Sequence, residues 1–554
     1  MKIAIAQLNC TVGDLAGNAA RIADAAGRAL ALGADVMVTP ELSLCGYPPE
    51  DLLLRGDFVA DCESRLQELA ARISGIAVVV GHPQASAGGL RNAASVLANG
   101  RVVATYFKRD LPNYTVFDEQ RYFQPGTEPC VFEVGGVRVG INICEDIWGA
   151  SGSPAARADA PPGMAGAGLA EAPRGARAAG ARVLLVLNAS PYHVNKLATR
   201  CEVVGARARE TAMPVVFCNL VGGQDELVFD GASFVVDAGG QVTHQMPAFE
   251  EGLEIVELEG DAVVPGGIAP AQPVEALVYR ALCLGVKDYV GKNGFPGVLL
   301  GLSGGIDSAI VLCVAADALG PDRVRAVMMP SRYTADMSLE DASALAANLG
   351  VRYTVLPIAG PFDAFLSTLA GEFEGLPIDT TEENLQSRIR GTLLMALSNK
   401  SGAIVLTTGN KSEMATGYAT LYGDMAGGFA VLKDISKTLV YRLSRWRNTV
   451  SPVIPERIIT RPPSAELKPD QVDQDSLPPY DVLDAIMEMY VERDMGPAAI
   501  MRAGYARADV ERVVRLLVVS EYKRRQSPVG VRITPRGFGK DWRYPITNRY
   551  RDRF

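Results

Sequence analysis

The chain has 554 residues, 48% of them apolar and 21% charged, with a formal net charge of −9. That length exceeds what one hydrophobic core holds, so a prior of about 150 residues per domain predicts two to four units, and two large ones fit. The composition, with no unbroken apolar run near 18 residues, argues against a membrane span, and the acidic balance argues against a general nucleic-acid binder while allowing a local basic pocket for a small anion.

The opening MKIAIAQLN reads as a strand and not as a signal peptide. Nine cysteines, with no CxxC pair or zinc-like spacing, read as reduced thiols of a cytoplasmic protein. From Met1 to about Glu259, short β-branched runs (KIAIAQL, DVMVTP, AVVVG, RVVATYF, VRVGINI, RVLLVLN, VVFCN, ASFVVD) alternate with glycine turns and Ala-rich helices, the pattern of a strand-rich α/β unit. Three residues fall at the ends of these runs: Glu41 after VMVTP, Lys108 after ATYF and Cys144 after VRVGINI. A thiolate is a good nucleophile, a carboxylate can take its proton, and a lysine can lower the thiol pKa and hold a developing oxyanion. Together they make an amidase constellation, although a cysteine taken alone is most often a small buried hydrophobe.

Residues 150–178 are nearly all Ala, Gly, Pro and Arg, and most of them read as a mobile surface loop. The Gly and Pro of GDAVVPGGIAPAQP, residues 260–273, mark a connection. The predicted organisation is therefore residues 1–262 as one domain, 263–273 as linker and 274–554 as a second domain.

Beyond the linker, longer helical patterns such as EALVYRALCLGVKDYV alternate with the short buried strands VLLGL, RVRAVMM and AIVLTT, as in a doubly wound parallel sheet. In VLLGLSGGIDSAIVL, the knot SGGIDS sits at a turn between strand and helix, where backbone N–H groups face a ligand crevice. Ser303, Gly304, Gly305, Ile306 and Ser308 would wrap a phosphate, and the lack of a lysine after the glycines disfavours a γ-phosphate-transferring P-loop. Asp307 would repel phosphate there unless it held a Mg²⁺ ion, the alternative being an ordinary turn with Asp307 as helix cap. A second strand end, after AIVLTT, delivers Thr408, Lys411, Glu413, Asp424, Lys433, Asp434 and Lys437 toward the same side. The arginine-rich closing stretch, residues 531–554, reads as a solvated or subunit-contacting tail.

SGGIDS, TGNKSEMATGYATLYGD, KDISK, MPSRYTADMSLEDA, EENLQSRIRG, RPPSAELKPDQVDQDSLPPYD and YPITNRY resemble the synthetase domain of NAD(+) synthetases, in the ATP-pyrophosphatase superfamily. The resemblance implies that residues 303–308 hold the pyrophosphate of the co-substrate ATP. It further implies that Asp307 and Glu413 bind Mg²⁺, that Thr408, Lys411 and Lys437 hold phosphates, and that Asn384, Arg388, Asp424, Lys433, Asp434 and Glu466 serve deamido-NAD(+). TPELSLCGYPPEDLL, YFKRDLPNYTVFDEQRYFQPG and NICEDIWG resemble the nitrilase family in its glutaminase branch. That likeness implies an αββα sandwich with Glu41 as general base, Lys108 as oxyanion stabiliser and Cys144 as the nucleophile that forms a γ-glutamyl thioester. Glu119 would support the site, and Tyr114, Ser190 and Lys196 would help to hold glutamine. Other glutaminase designs do not fit. An N-terminal nucleophile is excluded by Lys2, and the three histidines, His82, His193 and His244, lie in contexts that match no Cys–His–Glu site. The two resemblances together imply ATP-dependent amidation of deamido-NAD(+) with ammonia from glutamine, passed between domains of a homo-oligomer through a tunnel.

Overall fold

The structure is a computed structural model that describes residues 1–148, 171–464, 466–468, 471, 473, 477–550, 552 and 554. The chain divides into two compact units, Met1–Gln272 and Pro273–Phe554.

The first unit has fifteen strands among its described residues: β1 (Lys2–Gln7), β2 (Val36–Val38), β3 (Ala77–Ser86), β4 (Gly89–Ala98), β5 (Arg101–Phe107), β6 (Cys130–Val134), β7 (Val137–Ile143), β8 (Val183–Asn188), β9 (Val215–Asn219), β10 (Val221–Gln224), β11 (Leu227–Asp230), β12 (Phe234–Val236), β13 (Val242–Gln245), β14 (Gly252–Glu259) and β15 (Ala262–Val263). They form a seven-stranded sheet ordered β15-β14-β1-β2-β3-β4-β5, a six-stranded sheet ordered β13-β12-β9-β8-β7-β6, and the ribbon β10-β11. Side chains alternate faces along a strand. Ile3 and Ile5 of β1 therefore share one core with Val139, Ile141, Leu185 and Val216 of the other sheet. Ala4 and Ala6 face Ile22, Ala25 and Leu66 of the helices Leu15–Ala31 and Gly56–Arg72. On the far side Leu184 and Val186 meet Val204 and Ala208 of the helix Lys196–Thr211. These four layers are the expected αββα sandwich.

Three expectations change. GLRNAASVLA was not among the expected strands, yet it pairs along its whole length with β3, from Val78↔Leu97 to Ser86↔Gly89; the pairing overrides its alanine content. Residues 150–170 of the expected loop lie outside the described residues, and Glu171–Ala178 is a helix with Ala172 and Ala176 buried. The linker is also shorter than 263–273. Val263 pairs with Leu258, and Gln245 exchanges backbone hydrogen bonds with Gly267 and Ala269, which binds that segment to the first unit.

The second unit carries β16 (Val298–Gly301), β17 (Val324–Met328), β18 (Arg352–Val355), β19 (Ile404–Thr407) and β20 (Phe429–Ala430) in the order β18-β17-β16-β19-β20. All four pairings are parallel, so the order reverses at β16, and the C-terminal ends of β16 and β19 flank a ligand crevice. The closing stretch is not a solvated tail throughout. Val531, Ile533, Phe538 and Trp542 are buried, and Arg532 donates to Asp541 at 2.6 Å beneath them.

The turn after β2 that carries Glu41 packs on β3 at Gly81, whose oxygen accepts from Leu44 N–H at 3.0 Å. A Cβ at Gly81 would lie 2.4 Å from the Leu42 nitrogen and 2.8 Å from the Pro40 oxygen, both backbone atoms with little room to move. Gly81→Ala is therefore expected to cost about 1–3 kcal/mol, read as a lower denaturant midpoint for the first unit; an unchanged midpoint would refute this packing.

Candidate active sites

In the first unit the strand ends place the chemistry. Glu41, Lys108, Cys144 and Ser190 follow β2, β5, β7 and β8 respectively. Lys108 is fully buried and donates to Glu41 Oε1 at 2.7 Å and to both oxygens of Glu119 at 2.8 Å. Burial alone would strip such an ammonium of its proton, but the charges of Glu119 and Glu41 overcome burial and hold the Lys108 pKa well above its usual value. Glu41 also accepts from Asn92 Nδ2 at 2.8 Å and Ala189 N at 3.2 Å. Burial pushes Glu119 up to about 7 against the pull of Lys108, with Glu41 adding to the rise. Tyr47 Oη donates to it at 3.1 Å.

Cys144 closes β7 with φ +44°, a left-handed conformation that costs a non-glycine residue energy and recurs at functional turns. Burial pushes its thiol well above the usual value, Glu41 adds to that, and Lys108 opposes it. The resting sulfur is therefore a thiol, and a base must take its proton as it attacks.

Sequence reasoning missed two acids beside Cys144. Asp146 is buried and accepts from Ile143 N and Tyr106 Oη, both at 2.8 Å, and from Arg109 N and Asp110 N, both at 2.9 Å. It thereby ties the nucleophile's turn to the chain just beyond Lys108. Glu145 accepts from Tyr114 Oη at 3.0 and 2.9 Å, and burial raises its pKa, with Lys108, Tyr114 and Lys196 opposing. Lys196 Nζ stands 4.2 Å from the centre of the Trp148 ring, so Tyr114, Glu145 and Lys196 share one electrostatic neighbourhood. Ser190 Oγ accepts from Arg200 Nε at 3.1 Å. The run of acids in CED was the available signal.

In the second unit a cavity of about 530 Å³ is lined by Ser303, Gly305, Ile306, Asp307, Ser308, Asn384, Thr408, Glu413, Asp424, Lys437 and Glu466, among others. The turn after β16 leads into the helix Ile306–Leu319. There Ser303 Oγ lies 3.2 Å from Ser308 Oγ and accepts from Gly305 N at 3.2 Å. Gly304, at φ +79°, is hemmed in by the Ser338 oxygen, 2.5 Å from where a Cβ would sit, and its own oxygen accepts from Arg461 Nη2 at 2.8 Å. Asp307 takes Asn410 Nδ2 at 2.9 Å on one oxygen and Lys437 Nζ on the other. Lys437 also reaches Glu413 at 3.5 Å. Burial raises Glu413 to about 8; Lys437 lowers it and Asp307 raises it. Two carboxylates share one ammonium beside the turn after β16. Among the described residues no cluster of three or more His, Cys, Asp or Glu could hold a metal ion, so a cation at Asp307 and Glu413 would need its other ligands from substrate and water. Asn410 and Arg461 were not singled out from the sequence.

Four residues expected at the substrates are engaged within the fold. Lys411 does not line the cavity: its buried ammonium is bonded to Glu492 at 2.7 Å, Thr534 at 2.7 Å and Asp434 at 2.8 Å. Asp434 is spent on Lys411 and on the backbone N–H groups of Ile533 and Thr534 at 2.7 and 2.6 Å. Lys433 donates to the Pro528 oxygen at 2.6 Å. Arg388 turns its Nε to the Leu421 oxygen at 3.3 Å. Each of these groups ties together segments distant in sequence.

The comparisons with known proteins agree with both halves. The family described as carbon-nitrogen hydrolase matches residues 2–157 and 165–264, and the NAD synthase family matches residues 278–527. The chain is 49% identical to the glutamine-dependent NAD(+) synthetase of Xylella fastidiosa strain 9a5c, covering 100% of this chain and 99% of that protein. It is 45% identical to that of Thermotoga maritima, again over 100% and 99%. A solved structure of the Acinetobacter baumannii glutamine-dependent NAD(+) synthetase in complex with ADP is similar over 100% of this chain and 99% of that chain, with 43% identity and a TM-score of 0.77.

The charge balance at Lys108 carries a pH signature. As pH falls through about 7, Glu119 takes a proton and gives up its charge partnership with Lys108, whose ammonium is then held by the Glu41 carboxylate alone. Amide hydrolysis is expected to decline on the acid side with a midpoint near 7, and Glu119→Gln should hold the low rate on both sides of it. An intact acid limb in Glu119→Gln, measured by glutamate release, would remove Glu119 from this role.

Proposed function

The chain belongs to the glutamine-dependent NAD(+) synthetases, and from that premise we propose how its residues divide the reaction. The supporting observation is that each unit presents a complete set of chemical groups at strand ends: Glu41, Lys108 and Cys144 in the first, and Asp307, Glu413 and Lys437 around a phosphate-sized turn in the second.

In the first unit the γ-carboxamide of glutamine lies against Cys144. Glu41 takes the thiol proton as sulfur attacks, and the Lys108 ammonium offsets the negative charge that gathers on the amide oxygen. Glu41 returns the proton to the departing nitrogen, ammonia leaves, and water then hydrolyses the thioester to glutamate. Glu145, with Tyr114 on its carboxylate, receives the substrate's α-ammonium, while Ser190 and Lys196 meet polar groups at the other end of the amino acid.

In the second unit the nicotinate carboxylate of deamido-NAD(+) attacks the α-phosphate of ATP, giving an adenylate and pyrophosphate, and ammonia then displaces AMP. Residues 303–308 cradle the pyrophosphate with N–H and hydroxyl donors, and Lys437 and Thr408 hold phosphate charge as it moves onto the leaving group. Asp307 and Glu413 would hold Mg²⁺, which neutralises phosphate charge when bound. Asn384, Asp424 and Glu466, which line the same cavity, face the dinucleotide. The assembly proposed is a cytoplasmic homo-oligomer. All nine cysteines are free thiols, in keeping with a reducing compartment, and among the described residues no helix is long and apolar enough to cross a membrane.

The experiment is a comparison of nitrogen sources. Cys144→Ala should lower glutamine-driven NAD(+) formation by at least about a thousandfold while sparing ammonium-driven formation. Asp307→Asn should lower both by about 10²–10³-fold. Loss of ammonium-driven synthesis in a folded Cys144→Ala protein would refute the division.

A further inference from the structure

We infer that Arg200 is a positioning residue for the glutaminase site, holding the general base Glu41 and the hydroxyl of Ser190 in register through the backbone of residues 188–191; the inference rests on the functional reading above.

Arg200 is fully buried in the helix Lys196–Thr211, one turn after Lys196. Five hydrogen bonds engage its three nitrogens. Nη1 donates to Asp230 Oδ1 and Oδ2 at 2.8 and 2.9 Å, Nη2 to the oxygens of Ser190 and Pro191 at 2.7 and 3.1 Å, and Nε to Ser190 Oγ at 3.1 Å. A guanidinium presents five N–H donors in a rigid fork, so this group is matched completely by one carboxylate and one turn of chain.

The turn it grips reaches Glu41 in one step. Ala189 N–H donates to Glu41 Oε2 at 3.2 Å, and Glu41 N–H donates to the Asn188 oxygen at 3.4 Å. The base is thereby locked to residues 188–189, and Arg200 locks the residues that follow. Asn219 closes the opposite side, accepting from Ser190 N at 2.9 Å and donating to the Ser190 oxygen at 3.3 Å. A displacement of about 1 Å at such a base costs on the order of a hundredfold in rate.

The Nε bond also decides what Ser190 can do. The N–H of Arg200 occupies one lone pair of the Ser190 oxygen and fixes where that oxygen sits, leaving its O–H proton available to an acceptor on the amino acid. Lysine at position 200 would keep the charge near Asp230 and lose the fork.

The test uses the full-length chain with Arg200→Lys, Asp230→Asn, Ser190→Ala and the Arg200→Lys/Ser190→Ala double variant, reading glutamate release and ammonium-driven NAD(+) formation separately. Arg200→Lys and Asp230→Asn should each lower kcat/KM for glutamine by about 10- to 100-fold, with kcat falling through Glu41 and KM rising through Ser190, while ammonium-driven synthesis stays within about twofold. Ser190→Ala should raise KM alone and add less than about twofold on top of Arg200→Lys, because both changes act on one hydroxyl. Unchanged glutamine kinetics in Arg200→Lys, or effects of the two substitutions that simply multiply, would overturn the inference. An unmodified protein that releases no glutamate would overturn the reading beneath it instead.

Discussion

One buried ammonium organises the first unit. Lys108 has no access to water and sits between two carboxylates, and a charge so placed persists only when its partners surround it. Removing one partner of a buried pair costs about 3–5 kcal/mol, and replacing the cluster with apolar side chains is often neutral or stabilising. Lys108, Glu41 and Glu119 are therefore poor choices for stability, which accords with the chemical role proposed for them. An ammonium held rigidly in a dry site meets a developing oxyanion with no reorganisation of solvent. The surrounding bonds follow from that constraint: Asn92 and Ala189 hold Glu41, Tyr47 holds Glu119, and Asp146 fastens the Cys144 turn to the chain beyond Lys108.

The second unit holds two buried lysines of opposite use. Lys411 is enclosed by Asp434, Glu492 and Thr534 and pins the closing segment of the chain. Lys437 is as well paired, by Asp307 and Glu413, but all three line the cavity. Incoming phosphates can compete for Lys437 and a cation for its carboxylates. Burial and pairing are alike in the two clusters; access separates structure from function.

Much of this was legible in the sequence because period and punctuation are local. Alternating runs marked both sheets of the sandwich, and SGGIDS between two apolar runs marked the phosphate turn. That Glu41, Lys108 and Cys144 come close together was legible because each follows a strand. Strand β4 was not, since its alanines carry no strand preference and its pairing with β3 is a tertiary fact. Lys411 and Asp434 sit within residues of true cavity groups, and only side-chain direction, which spacing does not encode, turns them inward. Asn410 and Arg461 act through partners far away in sequence, Asp307 and Gly304, so no window of the chain could reveal them, whereas Asp146 left only the local signal of CED. Within the closing segment Arg532 is buried against Asp541, a pairing that charge density alone does not announce, while Arg543 and Arg549 are exposed.

One chain carries both amide hydrolysis and adenylation, with glutamine as the nitrogen donor. The most direct measurement supplies the purified protein with ATP, Mg²⁺, deamido-NAD(+) and glutamine labelled with ¹⁵N in its side-chain amide, in the presence of unlabelled ammonium, and follows nucleotides and label together. AMP and pyrophosphate are expected in step with NAD(+), whose carboxamide carries ¹⁵N in excess of the free ammonium pool. ADP in place of AMP, or label no richer in NAD(+) than in free ammonium, would contradict this.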